Sequence, residues 1–142
     1  MTWTYEDKPF TEIPDNIIGF VYEIICKSNN KRYIGKKNFY FSKTKQVKGK
    51  KKKIKVDSDW QTYFGSNKEL QEHVALYGEN NFDRKILRLC STKGEMTYYE
   101  TKYIFATDAV ISEDYYNDWC MCRVRKSHVV KKGLLWRLSY IL

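Results

Sequence analysis

The stretch from Ile17 to Cys26, IIGFVYEIIC, constrains the fold of this chain more than any other. It is rich in β-branched and aromatic residues and carries one charge, Glu23, so it reads as a strand buried on both faces at the centre of a small sheet. The polar sequence Lys27-Ser28-Asn29-Asn30 follows, and Lys31, Arg32, Tyr33 and Ile34 then resume the pattern. A turn between two such runs predicts a β-hairpin.

The elements around it follow from spacing. Residues 1–16 hold Trp3, Tyr5, Phe10 and Ile13, an arm too short to be a domain but apolar enough to pack on one. Ser66 and Glu69 have capping-box spacing ahead of Leu70, Val74 and Tyr77, and Gly78 closes that helix. Phe82 to Leu89 reads as a further strand. Thr92 and Glu95 repeat the capping spacing and open a second helix through Met96, Tyr99, Tyr103 and Ala106. Val110 and Ile111 are assigned to a short edge strand before the turn Tyr115-Tyr116-Asn117-Asp118. The expectation is one α/β domain over residues 1–142, a mainly antiparallel three-stranded sheet flanked by helices. Its length, 142 residues, suits one domain, and 42% hydrophobic content suffices for a core.

Other classes are set aside by what the sequence lacks. No apolar run approaches the roughly 18 residues of a membrane span, and the start MTWTYEDKPF has no basic-then-apolar order of a secretory signal. An intracellular protein is expected. Cys26, Cys90, Cys120 and Cys122 are then reduced thiols, mostly packing as small hydrophobes. Zinc at Cys120, Cys122 and His128 is the lesser reading, and His73 and His128 are read as surface or packing residues.

Charge points to the partner. There are 26 basic and 17 acidic residues, a net +9, placed unevenly. From Lys36 to Lys55 there are ten lysines and no acid, and eight of them, Lys43, Lys45, Lys48, Lys50, Lys51, Lys52, Lys53 and Lys55, fall within thirteen residues. A second acid-free stretch holds Arg123, Arg125, Lys126, Lys131, Lys132 and Arg137, within a basic extension over residues 119–142. The first run, an insertion over residues 38–58, cannot be buried and repels itself, so it is expected as a mobile loop or splayed hairpin that orders on a polyanion. Nucleic acid is that polyanion. Lysines bind phosphate as point charges, which predicts little sequence preference from this segment. Trp60, just beyond it, either stacks on a base or anchors a loop.

Within the second helix Glu100 shares the core-facing stripe with Met96, Tyr103 and Ile104. A carboxylate there either caps a lysine or tyrosine under the sheet or points into a cleft and holds a divalent cation. With Gly19-Phe20-Val21-Tyr22, Tyr33-Ile34-Gly35 eleven residues beyond Tyr22, Trp60, Tyr63-Phe64-Gly65-Ser66, Tyr77-Gly78, Phe82, Glu100 and Asn117 in this order, the sequence resembles the GIY-YIG nucleases over residues 19 to 118, with a tyrosine spacing like that of phage homing endonucleases. The first triplet departs from the family pattern, and the family's arginine about ten residues after the second tyrosine has no counterpart between Arg32 and Arg84. Lys37 is the first choice to replace it, with Lys36 or Lys43 as substitutes.

The resemblance implies a DNA endonuclease with one Mg²⁺, which Mn²⁺ can replace, on Glu100, leaving 5′-phosphate and 3′-hydroxyl ends. The chemistry also follows from the substrate: a phosphodiester needs cations on its nonbridging oxygens, a base for water and charge relief on the departing oxygen. Lys37 supplies a cation, and Tyr22 or Tyr33 takes the proton once a neighbouring cation has pulled its phenol below the ordinary value of about 10. Tyr63 is an additional phenol, and Asn117 orients a loop or a phosphate. Specificity is expected to be limited unless the lysine insertion, the basic extension or dimerisation supplies it. The alternative function is a nucleic-acid-binding protein of the same fold, impaired in cutting, or one directed to RNA.

Overall fold

In chain order the elements are β1 (Thr4–Tyr5), β2 (Lys8–Pro9), β3 (Gly19–Cys26), β4 (Arg32–Asn38), β5 (Tyr40–Val47), β6 (Lys50–Asp57), α1 (Lys68–Tyr77), β7 (Phe82–Cys90) and α2 (Lys93–Ala106). They come from a computed structural model, which describes residues 2–120. The expectations for Cys122, His128 and the basic stretch Arg123 to Arg137 lie outside the described residues.

β3 lies between β4 and β7 and pairs antiparallel with both, as its two buried faces require. The three strands expected are therefore present, but the sheet is larger and mixed, with order β2-β1-β7-β3-β4. The N-terminal arm makes the difference. Trp3, 1% exposed, wedges edge-on against Phe20 and Tyr22 with ring centroids 5.0 and 5.2 Å away, and its indole N–H donates to the Trp60 carbonyl at 2.7 Å. Burying an indole of this size contributes about 3–5 kcal/mol on the scale of truncation to alanine. That anchor lays β1 parallel to β7, Thr4 opposite Lys85 and Tyr5 opposite Ile86, and covers the edge of β7.

Strand alternation gives the sheet two different faces. Phe20, Tyr22, Ile24 and Cys26 join Trp3, Phe10, Phe39, Trp60, Leu70 and Phe82 on an aromatic face. Val21 and Ile34 join Met96, Ile104 and Ala109 on the other face, under α2. Cys26 and Cys90 are buried among these side chains. Asn67, rather than Ser66, caps α1, its side chain accepting from the Leu70 N–H at 2.9 Å. Thr92 caps α2 through the Glu95 N–H at 3.0 Å, as its spacing predicted. Val110 and Ile111 form no strand: they sit in a turn, Ile111 82% exposed, while Tyr115 makes the edge bridge, parallel to Arg32 of β4.

The lysine segment is a regular hairpin. β5 and β6 pair antiparallel through eight residue pairs, and Lys48 and Gly49, both at positive φ, turn the chain at the tip. Its ladder places Lys45 opposite Lys52, and every residue from Phe41 to Lys55 is exposed.

Candidate active site

The site is built at the β4 edge of the sheet, where the two faces can meet. Tyr22 and Gly35 are direct cross-strand partners on the aromatic face. Because Gly35 has no side chain, the Tyr22 ring lies across it: a Cβ there would overlap the phenol, 2.5 Å from its Cζ. The phenol hydroxyl thereby reaches toward the open edge. Tyr33, two residues before Gly35, stands beside it with ring centroids 6.2 Å apart, and its hydroxyl hydrogen-bonds Ser66 Oγ at 3.0 Å. Gly65, at φ 87°, admits that ring, whose atoms would lie 3.3 Å from a Cβ.

From the opposite face α2 brings Glu100, one turn after the buried Met96 and one before the buried Ile104. Around the edge, Tyr22, Tyr33, Lys36, Ser66, Glu100, Asn117 and Asp118 line one cavity of about 300 Å³. Lys36 reaches across to α2 and donates to Thr97 Oγ1 at 2.8 Å. Burial raises the Glu100 carboxyl above the ordinary carboxylate range, and the Lys36 ammonium partly offsets this.

The phenols move the other way from the sequence expectation. Burial first, then the neighbouring Tyr33 and Tyr63 and the charge of Glu100, push Tyr22 well above an ordinary phenol. Tyr33 is raised as well, chiefly by burial, with the Ser66 hydrogen bond working against it. Both hold their protons at neutral pH in the unliganded protein.

Lys37 does not face this cavity. Successive strand residues point to opposite faces, so Lys36 turns to Glu100 and Lys37 to the aromatic face. There its ammonium pairs with Asp59 at 2.5 Å, holding that carboxyl below its usual range, and sits 4.0 Å from the Tyr63 ring centroid. Tyr63 packs edge-on against Tyr22 at 6.1 Å and backs the site without lining it. Its carbonyl, with that of Gln61, accepts from the buried Arg84 guanidinium at 2.9 and 3.0 Å. Arg84 is itself held between the rings of Trp3 and Phe64. Lys43, the other substitute, lies on β5, opposite Ile54.

Asn117 is 7% exposed, and its amide is used on the backbone: Oδ1 accepts from the Ile34 N–H at 3.0 Å and Nδ2 donates to the Ile34 carbonyl at 2.8 Å. It fixes the loop that carries Asp118 into the cavity. Trp60, offered as a base-stacking ring, is a core residue, 6% exposed, edge-on to Phe39 at 5.1 Å and to Phe10 at 5.8 Å. Stacking on a base would require opening that core, so the anchoring reading is the one its surroundings fit. Lys45, Lys48, Lys50, Lys51, Lys52, Lys53 and Lys55 stand exposed on the hairpin.

A family model described as "Putative endonuclease segE, GIY-YIG domain" matches residues 3–120. The chain belongs to this GIY-YIG family. The protein of the same segE name from Enterobacteria phage T4 is 35% identical over 98 residues, which are 69% of this chain and 39% of that protein. This chain thus spans about two fifths of that relative's length. No solved structure gives a significant match.

Within this GIY-YIG domain, the sequence does not single out Ser66 and Asp118 as cavity residues, and it favours Lys37 over Lys36, whereas the structure lines the cavity with Ser66, Asp118 and Lys36. Strand parity was the available signal for Lys36, since Ile34, two residues earlier, is its same-face neighbour. Asp118 belongs to the terminal turn beside Asn117 and carries no separate signal in the sequence.

Proposed function

We propose that the protein is a metal-dependent DNA endonuclease that hydrolyses a phosphodiester bond to leave 5′-phosphate and 3′-hydroxyl ends. One observation carries this reading: a carboxylate, an ammonium group and two phenols from three separate elements converge on a single open cavity. Burying an acid costs stability, and the Lys36 ammonium offsets only part of that cost at Glu100.

The donor set suits Mg²⁺. Among the described residues no three His, Cys, Asp or Glu side chains cluster into a protein-only cage. Glu100 and Asp118 line the same cavity as hard oxygen donors, with room for water, and Mg²⁺ favours one or two carboxylates plus retained waters. Bound there, the ion would relieve negative charge on the departing 3′ oxygen.

The protein's own groups do the rest. Lys36 lays its ammonium on a nonbridging phosphate oxygen, replacing the family arginine as a point charge without the bidentate fork. Tyr22 and Tyr33, protonated at rest, hydrogen-bond the scissile phosphate or the attacking water. One of them surrenders its proton only after cations have assembled around it, so the base forms with substrate present. Lys37 supports this indirectly through Asp59 and Tyr63.

A nicking assay on supercoiled plasmid with Mg²⁺ or Mn²⁺ tests the reading. Cleavage abolished by Glu100→Ala, with ends that a ligase reseals directly, is the expected result. DNA retention with no metal-dependent cutting would instead favour a binding protein, a reading supported by the missing arginine and the raised phenols.

A further inference from the structure

We infer that the β5–β6 ribbon lies in the major groove of duplex DNA with the side chains of Ser42, Thr44 and Gln46 against the base edges, so that it reads sequence as well as phosphate. This rests on the assignment of DNA as substrate and deepens it, since the lysines alone predict binding without sequence preference.

Eight residues per strand at about 3.4 Å each make an arm roughly 27 Å long, and a two-stranded ribbon fits the roughly 12 Å width of the B-form major groove. The turn at Lys48 and Gly49 is tight, so no longer loop lies at the tip. Alternation then divides the side chains. One face holds Phe41, Val47, Ile54 and Val56 together with Lys43, Lys45, Lys50 and Lys52. The other holds Ser42, Thr44 and Gln46 beside Lys51, Lys53 and Lys55, with Tyr40 and Asp57 at its base.

These faces suit different tasks. The face bearing Phe41 turns back toward the domain at its base, where the Lys37 ammonium lies 5.0 Å from the Phe41 ring. The Gln46 face touches the domain too, through Tyr40, which packs on the core, and beyond that base both faces stand exposed. Only the Gln46 face has the side chains that can discriminate base edges: glutamine pairs with adenine, serine and threonine accept or donate, and lysine reaches guanine O6 and N7. The remaining lysines have stems long enough to swing to the phosphate walls on either side.

Electrostatics supports the same occupant. Lys45 directly opposite Lys52 is a repulsive cross-strand pair, and no acidic side chain lies on the ribbon before Asp57 at its base. A hairpin exposed on both sides is marginal by itself, and a polyanion removes the repulsion. Duplex RNA fits poorly, because the A-form major groove is too narrow for side chains to read.

The test is selection of bound duplexes from a randomised pool by the full chain in EDTA, followed by sequencing, with salt titrations of the selected site. The parent should enrich a short sequence. Thr44→Ala with Gln46→Ala should reduce the preference at one or two positions by about tenfold and leave the salt slope unchanged. Lys45→Ala with Lys52→Ala should keep the enriched sequence and lower the slope by about two. Binding without enrichment, or an enriched sequence that survives Thr44→Ala with Gln46→Ala, overturns the groove-reading ribbon while leaving DNA as substrate intact. A parent that neither binds nor nicks duplex DNA, or that prefers duplex RNA, overturns the substrate assignment itself.

Discussion

The cavity at Glu100 and the β5–β6 ribbon are held in place by opposite means. Around the cavity, position comes from packing: the Tyr22 phenol lies over Gly35, α2 is pinned by Met96 and Ile104, and Asn117 clamps Ile34. The ribbon from Phe41 to Lys55 has no core, and its shape comes from its backbone ladder and its two-residue turn. On the proposed function this is a division of labour, in which groups that must meet within ångströms are buried and groups that would find a long polyanion are left exposed.

Glu100→Gln should break this contrast most visibly. It keeps the shape but removes the charge, so nicking should fall by about 1,000-fold, measured in single-turnover assays. Stability should move the other way. A carboxyl whose folded pKa is raised binds more protons when folded than unfolded, so between the ordinary value of 4.5 and the raised one stability falls as pH rises. The glutamine variant should escape this loss and melt higher at pH 7, which calorimetry at pH 4 and pH 7 would reveal. Activity of the parent should also fall on the acid side at a higher pH than an exposed glutamate would give. A glutamine variant that cuts normally would remove the chemistry from this cavity.

Lys36 and Lys37 sharpen the comparison within one strand. Lys36→Ala should lower kcat by about 100-fold, Lys37→Ala by less than tenfold, because only Lys36 lines the cavity. The reverse order, read by steady-state plasmid nicking, would mean that the parity of β4 misassigns the phosphate cation. Lys45→Ser with Lys52→Ser acts on binding rather than on the chemical step. It should raise KM for DNA about tenfold at 0.1 M salt and raise the unfolding free energy by a few tenths of a kcal/mol, since a repulsive pair is gone. Denaturant titration beside the kinetics would separate the two.

What could be read from the sequence divides along similar lines. The β3–β4 hairpin, both helices and the strand at Phe82 follow from local patterns, and the structure has them at nearly the expected residues. The parallel pairing of β1 with β7 was not legible, because it depends on Trp3 finding a slot between Phe20, Tyr22 and the Trp60 carbonyl. The spacing of Ser66 to Glu69 predicts a cap, but the Tyr33 hydroxyl takes that side chain and Asn67 caps instead. At the cavity, Glu100 stood out as an acid on an apolar stripe. Nearness along the chain does not separate Lys36 from Lys37, because it does not show which way a strand residue points.

The Asn117 side chain has one more consequence. By occupying both peptide groups of Ile34, it stands in for a neighbouring strand where β4 would otherwise offer an unpaired border. An unpaired border invites foreign chains to zip onto it, and here such a visitor would plug the mouth of the cavity. With the backbone bonds that Arg32 makes to Asp114 and Tyr116 beside it, this amide keeps the doorway clear.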